Sequence, residues 1–197
     1  MKSETVIVLD IETTGLSPER HAITEVAAVK VKGGKIIDSY QTLINPQRPI
    51  PKFITRLTGI NDSMVENAPL FEDVVQEMKE FFGDAVLIGH NVSFDYRFLT
   101  HNFAKHTGEP LSNPTLCTAK LARRMLPDLP NKKLGTVAEH YDVINDAAHR
   151  AMGDVQATTK ILNYMVDELT NNGFVSLDEI KNFETFSCAK AQSCLRK

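Results

Sequence analysis

Thr5-Val6-Ile7-Val8-Leu9-Asp10-Ile11-Glu12 is a run of β-branched and apolar residues that ends in two acids. Residues 5–11 have the composition of a strand. Side chains alternate across a strand, so Val6, Val8, Asp10 and Glu12 share one face while Ile7, Leu9 and Ile11 take the other. Apolar residues on both faces predict a covered, central strand. Two like charges at its C-terminal end are costly unless something positive lies between them. In open α/β sheets that end is also where sites form. Alone, the pair fits equally well a strand that runs out into solvent.

The rest of the chain supplies the sheet and its cover. Residues 23–32 and 35–44 read as two further strands, joined at Gly33-Gly34, a hairpin turn because both glycines accept positive φ. Three early strands joined this way suggest an antiparallel meander. Residues 45–51 form a proline-bearing loop. Beyond them, helical spacing appears at 70–82, with Leu70, Val74, Met78 and Phe81 or Phe82 on one side. A short buried strand at 86–89 precedes a helix at 93–106 carrying Phe94, Phe98, Leu99 and Phe103. Residues 116–118 suggest another short strand, followed by helices at 119–126, ending before Pro127, and at 133–141. The longest helix is expected at 149–171, with the stripe Ala148, Met152, Val155, Thr159, Leu162, Val166 and Leu169. Strands first, then helix alternating with strand, predict an α/β fold with a mixed central sheet flanked by helices. Gly173 is a helix stop, and Ser176 with Glu179 makes a capping-box start for one more helix. Residues 184–197 lack periodicity and are expected to be a flexible tail. The expected division is therefore a domain over 1–175 and a helix and tail over 176–197.

Composition narrows the class. The chain has 197 residues, 42% hydrophobic and 24% charged, which suits one soluble domain with a short appendage. No apolar run is long enough to span a bilayer, and the N-terminus lacks the apolar core of a signal peptide. Cys117, Cys188 and Cys194 are odd in number and lack tight metal spacing, so reduced thiols in a cytoplasmic protein are expected. The net charge of −3 weighs mildly against a nucleic-acid partner.

Further acids change the odds for Asp10 and Glu12. Thr13-Thr14-Gly15-Leu16 follows them as a turn that can present backbone N–H groups to an anion, with Gly15 allowing close approach. In Gly89-His90-Asn91-Val92-Ser93-Phe94-Asp95 a buried strand gives way to a helix, with Ser93 as the expected N-cap and Asp95 in the first turn. Compensation of the helix dipole would explain that Asp95 equally well. In His149-Arg150-Ala151-Met152-Gly153-Asp154 the acid sits on the long helix, beside Val155. Five residues are about 140° of helical rotation, so His149 is expected in the preceding loop or first turn.

Asp10, Glu12, Asp95 and Asp154, with His149 five residues before the last acid, resemble the DEDDh, or DnaQ-like, family of 3′–5′ exonucleases on an RNase H-like fold. The resemblance covers residues 4–170 through the blocks Asp-Ile-Glu-Thr-Thr-Gly-Leu, His-Asn-x-x-Phe-Asp and His-x-x-x-x-Asp. Residues 45–69 are further similar to the proofreading exonucleases of bacterial replicative polymerases, whether epsilon subunit or PolC domain. There the Leu57-Thr58-Gly59-Ile60 block lies beside the terminal nucleotide.

The resemblance implies that the four carboxylates converge on two divalent cations, for which oxygen ligands favour Mg²⁺ or Mn²⁺. Two such ions would bring the net charge close to neutral and place positive charge at the scissile phosphate. His149 is implied as the general base, and nucleoside 5′-monophosphates as the product released from single-stranded or frayed DNA 3′ ends. Thr13, Thr14, Gly15, Thr58, Asn91 and Phe94 are expected substrate contacts, and Leu16 either a wedge against a base or an ordinary turn hydrophobe. His90 is expected to be structural. The alternatives are an RNA-directed exonuclease of the same superfamily and a non-catalytic nucleic-acid-binding module, the latter opposed by the presence of all five expected active-site residues. A polymerase catalytic subunit or clamp is the partner expected for the C-terminal tail, and no membrane is expected. Finally, Lys120, Arg123, Arg124, Lys132 and Lys133 cluster against the single acid Asp128. They fit a phosphate track and a solvated helix face equally well.

Overall fold

The computed structural model describes residues 4–195. Five strands form one mixed sheet: β1 (Thr5–Thr13), β2 (Ile23–Lys32), β3 (Lys35–Leu43), β4 (Leu87–Gly89) and β5 (Thr115–Cys117). Their order is β3-β2-β1-β4-β5, which puts β1 at the centre, as its two apolar faces require. β1 runs antiparallel to β2 and parallel to β4, and β4 runs parallel to β5. Gly33 and Gly34, at φ 60° and 77°, make the β2–β3 turn.

The two faces of β1 build two cores. Ile7, Leu9 and Ile11 pack with Val26 and Ala28 against α3 (Phe71–Phe82) and α4 (Ser93–Thr107), whose Met78, Phe82, Phe98 and Phe103 fill that layer. Val6 and Val8 pack with Ala27 and Val29 against α5 (Thr118–Met125), α6 (Leu134–His140) and α7 (Ala151–Asn171). Asp10 and Glu12 continue the second face, so they are aimed at the α7 layer. The α7 stripe is buried from Val155 through Leu169, but Ala148 is not part of it. It precedes the helix and is exposed, because the chain is still in the loop that carries His149.

Three segments depart from expectation. Residues 52–65 form α1 (Lys52–Thr58) and α2 (Asp62–Val65) around a separate small core of Ile50, Ile54, Ile60 and Val65. Ser93 does not cap α4: Val92 occupies that position in helical conformation, and the Ser93 hydroxyl turns back to Asn91 Oδ1 at 3.4 Å. The stretch after 184 is helical rather than an irregular tail. α8 (Leu177–Thr185), capped by Ser176 and Glu179 as expected, is followed by α9 (Cys188–Leu195). Ile180, Phe183 and Ala191 bury against the α5–α7 core, and Gln192 hydrogen-bonds the Arg124 carbonyl. Packing against α5 stabilises α9 where the single buried Ala191 leaves no legible stripe. Residues 196 and 197 lie outside the described residues. Cys117, Cys188 and Cys194 are free thiols. Among the described residues no helix is long and apolar enough to cross a membrane.

Candidate active site

β1 outruns β4. The parallel pairing covers Ile7 and Val8, so the backbone beyond lacks a strand partner on that side. Asp95, the third residue of α4, takes that place: its Oδ1 accepts the Ile11 N–H at 3.1 Å. Asp95 is 3% exposed, and a buried N–H left unpaired there would be costly. On the other face, Asp154 stands in the first turn of α7. One carboxylate oxygen from each of Asp10, Glu12 and Asp154 lies within 4.8 Å of the others. Three of the four expected acids therefore meet directly. Asp95 stands behind them, because it arrives from the opposite helical layer and is held by the backbone of β1.

The electrostatics match this crowding. Burial raises the Asp10 carboxyl well above its ordinary range, with Asp95, Glu12 and Asp154 adding to the shift. Burial, then Asp154, Glu25 and Asp95, push Glu12 up to about 8. Burial lifts Asp95 to about 7, although its backbone hydrogen bonds oppose the shift. Asp154 is raised by burial and drawn back by the Asn145 amide and by His149. Burial and mutual repulsion make such a group of acids costly to ionise together without a cation. An all-oxygen donor set at this separation can bind metal ions, and hard divalent cations suit it best.

The remaining expected site residue, His149, lies beside α7's first turn. His149, at φ 62°, is exposed in the loop just before the helix, and its backbone N–H hydrogen-bonds the Asp154 carboxylate. Asn145 Nδ2 donates to Asp154 Oδ1 at 2.6 Å. Gly153 permits this fold-back, since a Cβ there would overlap the Ala147 carbonyl. His149, Asp154 and Asn145 line one open cleft of about 670 Å³.

Two residues that sequence reasoning missed anchor the loop. Glu25 lies opposite Glu12 in the β1–β2 register and is 0% exposed. It accepts from Arg150 Nε at 3.1 Å and Nη2 at 2.8 Å, from the Ala151 N–H at 3.1 Å and from Gln41 at 2.9 Å. Burial pushes its carboxyl up, but these donors outweigh it and hold it below the ordinary range. The positive charge of Arg150 also draws the Glu12 carboxyl down. The available signal was an acid inside Ile23-Thr24-Glu25-Val26-Ala27-Ala28, since a buried carboxylate in an apolar strand demands a partner.

The expected substrate contacts divide into two groups. Leu16 is 78% exposed at the turn after β1, and Asn91, at φ 76°, is exposed at the start of α4. Phe94 is half-buried and packs on Phe98, with ring centroids 5.1 Å apart. The Thr13 and Thr14 hydroxyls are instead committed to the turn, Thr13 donating to the Gly15 carbonyl and Thr14 accepting from the Ala22 N–H. At Gly15 a Cβ would overlap the His21 ring, which closes the same turn. Thr58 is buried, its hydroxyl donating to the Ile54 carbonyl and accepting from the Ile60 N–H, so it stabilises its own segment. His90 lies 2.9 Å from the Thr118 hydroxyl and 2.7 Å from the Lys132 carbonyl, a structural setting that burial keeps neutral.

A central strand ending in clustered acids, faced by a helix that adds another, defines an exonuclease site on an RNase H-like sheet. Residues 7–162 match the RNase T-type Exonuclease family model, and the chain belongs to that family. Among its relatives, the PolC-type DNA polymerase III of Caldanaerobacter subterraneus subsp. tengcongensis is 45% identical over 176 residues, which is 89% of this chain and 12% of that protein. The PolC-type DNA polymerase III of Bacillus subtilis is 40% identical over 181 residues, 91% of this chain and 13% of that protein. The chain thus spans a small fraction of the length of these curated relatives. Exonuclease X, solved in complex with 5′ overhanging duplex DNA, superposes with a TM-score of 0.73 at 26% identity, covering 91% of this chain and 99% of its own. Exonuclease I of E. coli, in complex with a dT13 oligonucleotide, shares the fold with a TM-score of 0.75 at 18% identity, over 86% of this chain and 43% of its own.

Proposed function

We propose that the chain is a 3′–5′ exodeoxyribonuclease that removes nucleoside 5′-monophosphates from single-stranded or frayed DNA 3′ ends, in proofreading or repair trimming. The observation that carries this reading is the meeting of Asp10, Glu12 and Asp154 within 4.8 Å, beside an exposed His149 on the same cleft. These acids, with Asp95 behind them, would hold two divalent cations, Mg²⁺ or Mn²⁺, which would supply charge stabilisation at the scissile phosphate and a more acidic water.

The chain's own groups do the rest. The His149 imidazole takes the proton of the attacking water at one ring nitrogen. Its position is held by the bonds of its neighbours Arg150 and Ala151 to Glu25 and by its own N–H bond to Asp154. Asp95 fixes the end of β1, so that Asp10 and Glu12 keep their separation. Leu16 presses between bases at the strand end, and Phe94 and Asn91 receive the terminal nucleotide. The Thr13–Leu16 turn, ordered by the threonine hydroxyls, offers the Gly15 and Leu16 N–H groups to its phosphate, whereas the Thr14 N–H is already donated to the Ala22 carbonyl.

Residues 1–175 form the catalytic unit in this reading, and 176–197 an appendage. The PolC-type relatives favour a cytoplasmic, replicative setting, with a polymerase subunit or clamp meeting that appendage.

Digesting 3′-labelled and 5′-labelled single-stranded DNA beside matched RNA tests the reading. Immediate release of labelled 5′-mononucleotide from the 3′-labelled DNA, abolished by EDTA and by Asp154→Ala, is expected. Preferential digestion of RNA would move the chain to the RNA-directed branch, and no metal-dependent release from either would overturn the reading.

A further inference from the structure

The basic cluster at residues 120–133 divides in two in the structure. Three members are engaged with the protein. Lys120 Nζ lies 3.8 Å from Glu184, and the Arg124 guanidinium donates to the Phe186 and Lys120 carbonyls, each at 2.9 Å. Lys132 Nζ donates to the Leu129 carbonyl at 2.9 Å. These three tie α5 to α8 and close the turn before α6. The other two behave differently. Among the described residues, neither the Arg123 guanidinium nor the Lys133 ammonium has an ion-pair or hydrogen-bond partner, and both residues are exposed.

Both unpaired members face the site, as does Lys132, whose ammonium is already engaged by the Leu129 carbonyl. Arg123 and Lys133 line a cleft of about 510 Å³ together with His90 and Asn91. Lys133 lines in addition the cleft that holds Asn145, His149 and Asp154. It therefore stands where the two openings meet. Its backbone is fixed from both sides: His90 holds the Lys132 carbonyl, and Asn131 Oδ1 accepts both the Lys133 N–H at 3.0 Å and the Thr136 hydroxyl at 2.9 Å. A solvated helix face needs no such ordering and has no reason to lead from the carboxylates to a second arginine.

We propose that Arg123 and Lys133 bind a backbone phosphate of the substrate strand next to the scissile one. This rests on the reading of the chain as an exonuclease and names the part of the polynucleotide held outside the carboxylate cluster. A phosphate there would be met by a forked guanidinium on one side and a point charge on the other.

The test is the salt dependence of strand binding. Each phosphate neutralised on a single strand contributes about 0.7 to the slope of log affinity against log salt. Anisotropy of a short fluorescein-labelled oligothymidylate in Ca²⁺, titrated with KCl, reads that slope. The double variant Arg123→Gln/Lys133→Gln should lower it by about 0.7, the share of one phosphate, and Arg123→Lys/Lys133→Arg should keep it. Lys79→Gln/Lys181→Gln removes the same charge from α3 and α8, where both lysines are paired, and should leave the slope unchanged. An unchanged slope in the first variant, or an equal fall in the α3/α8 variant, would overturn the proposal. The underlying reading fails separately, if the wild-type protein releases no mononucleotide in Mg²⁺ or Mn²⁺ whatever the slopes.

Discussion

Asp95 and Asp154 occupy almost the same place on two helices, yet they are held in different ways. Each stands in a first turn, and burial raises each. Asp95 comes from the layer behind Ile11, and a backbone N–H of the central strand holds it. Asp154 comes from the layer that Asp10 and Glu12 face, and it joins them. One acid completes the sheet and the other completes the carboxylate cluster. Which face of β1 a helix covers decides which of these an acid at its start becomes.

The largest effects expected are on hydrolysis. Asp154→Ala should abolish metal-dependent release, since it removes one of three converging ligands. His149→Ala should cost about 10²–10⁴ in kcat, as removal of a general base does, while Mn²⁺ affinity stays near that of wild type. Steady-state digests beside Mn²⁺ titrations read both, and equal loss of Mn²⁺ affinity in the two variants would erase the distinction between ligand and base.

Next in size is the anchor of the His149 loop. Glu25→Ala leaves Arg150 without its buried partner and should cost about 3–5 kcal/mol in urea unfolding, because a broken buried pair strands a charge. Arg150 is partly exposed, with a side chain at 37%, so the lower end of that range is expected.

Smaller still is the structural share of Asp95. At a pH of about 5.5, below the values of Glu12 and Asp95, these two acids carry protons, which reduces charge repulsion in the comparison. Asp95→Ala should then destabilise by about 1–3 kcal/mol, the cost of an unpaired buried N–H, and Asp154→Ala by clearly less. Asp95→Asn keeps an acceptor for Ile11 and should recover most of that loss. Equal destabilisation by the two alanines would mean that the two acids are held alike.

The last effect is on pH dependence. Glu12 at about 8 and Asp95 at about 7 lie above their unfolded values, as does Asp10. Between the unfolded and folded values the native chain holds more protons than the unfolded chain, so stability falls as pH rises through that window. In EDTA, stability, and the melting temperature with it, should fall between pH values of about 5 and 8, by up to about 1.4 kcal/mol per pH unit for each group whose folded and unfolded values bracket that pH. Mg²⁺ should flatten the drop. A melting temperature that rises over the same interval in EDTA would reverse the sign required here.

Much of this was legible in the chain, for identifiable reasons. β1 announced itself because two-sided burial leaves an uninterrupted apolar run, and α7 because five of its turns repeat one stripe. α1 and α2 did not, because at seven and four residues they are too short for a period to show. Their Ile50, Ile54, Ile60 and Val65 make contact only after the segment folds on itself. The site acids were legible because each lies in a short local block. Glu25 and Arg150 are 125 residues apart, and no local pattern can report a partner at that distance. The same holds for the basic cluster, where only the fold separates residues that tie helices together from those left facing the cleft.

The central claim, that Asp10, Glu12 and Asp154 form a cation site, is tested most directly by Mn²⁺ calorimetry at pH values near 7.5 in two buffers of different ionisation enthalpy. Because Glu12 is raised to about 8, binding should release protons, and the apparent enthalpy should differ between the buffers. Asp154→Ala should weaken the affinity by at least about tenfold and reduce the release. Mn²⁺ binding of equal strength to wild type and Asp154→Ala, with no protons released, would contradict the account.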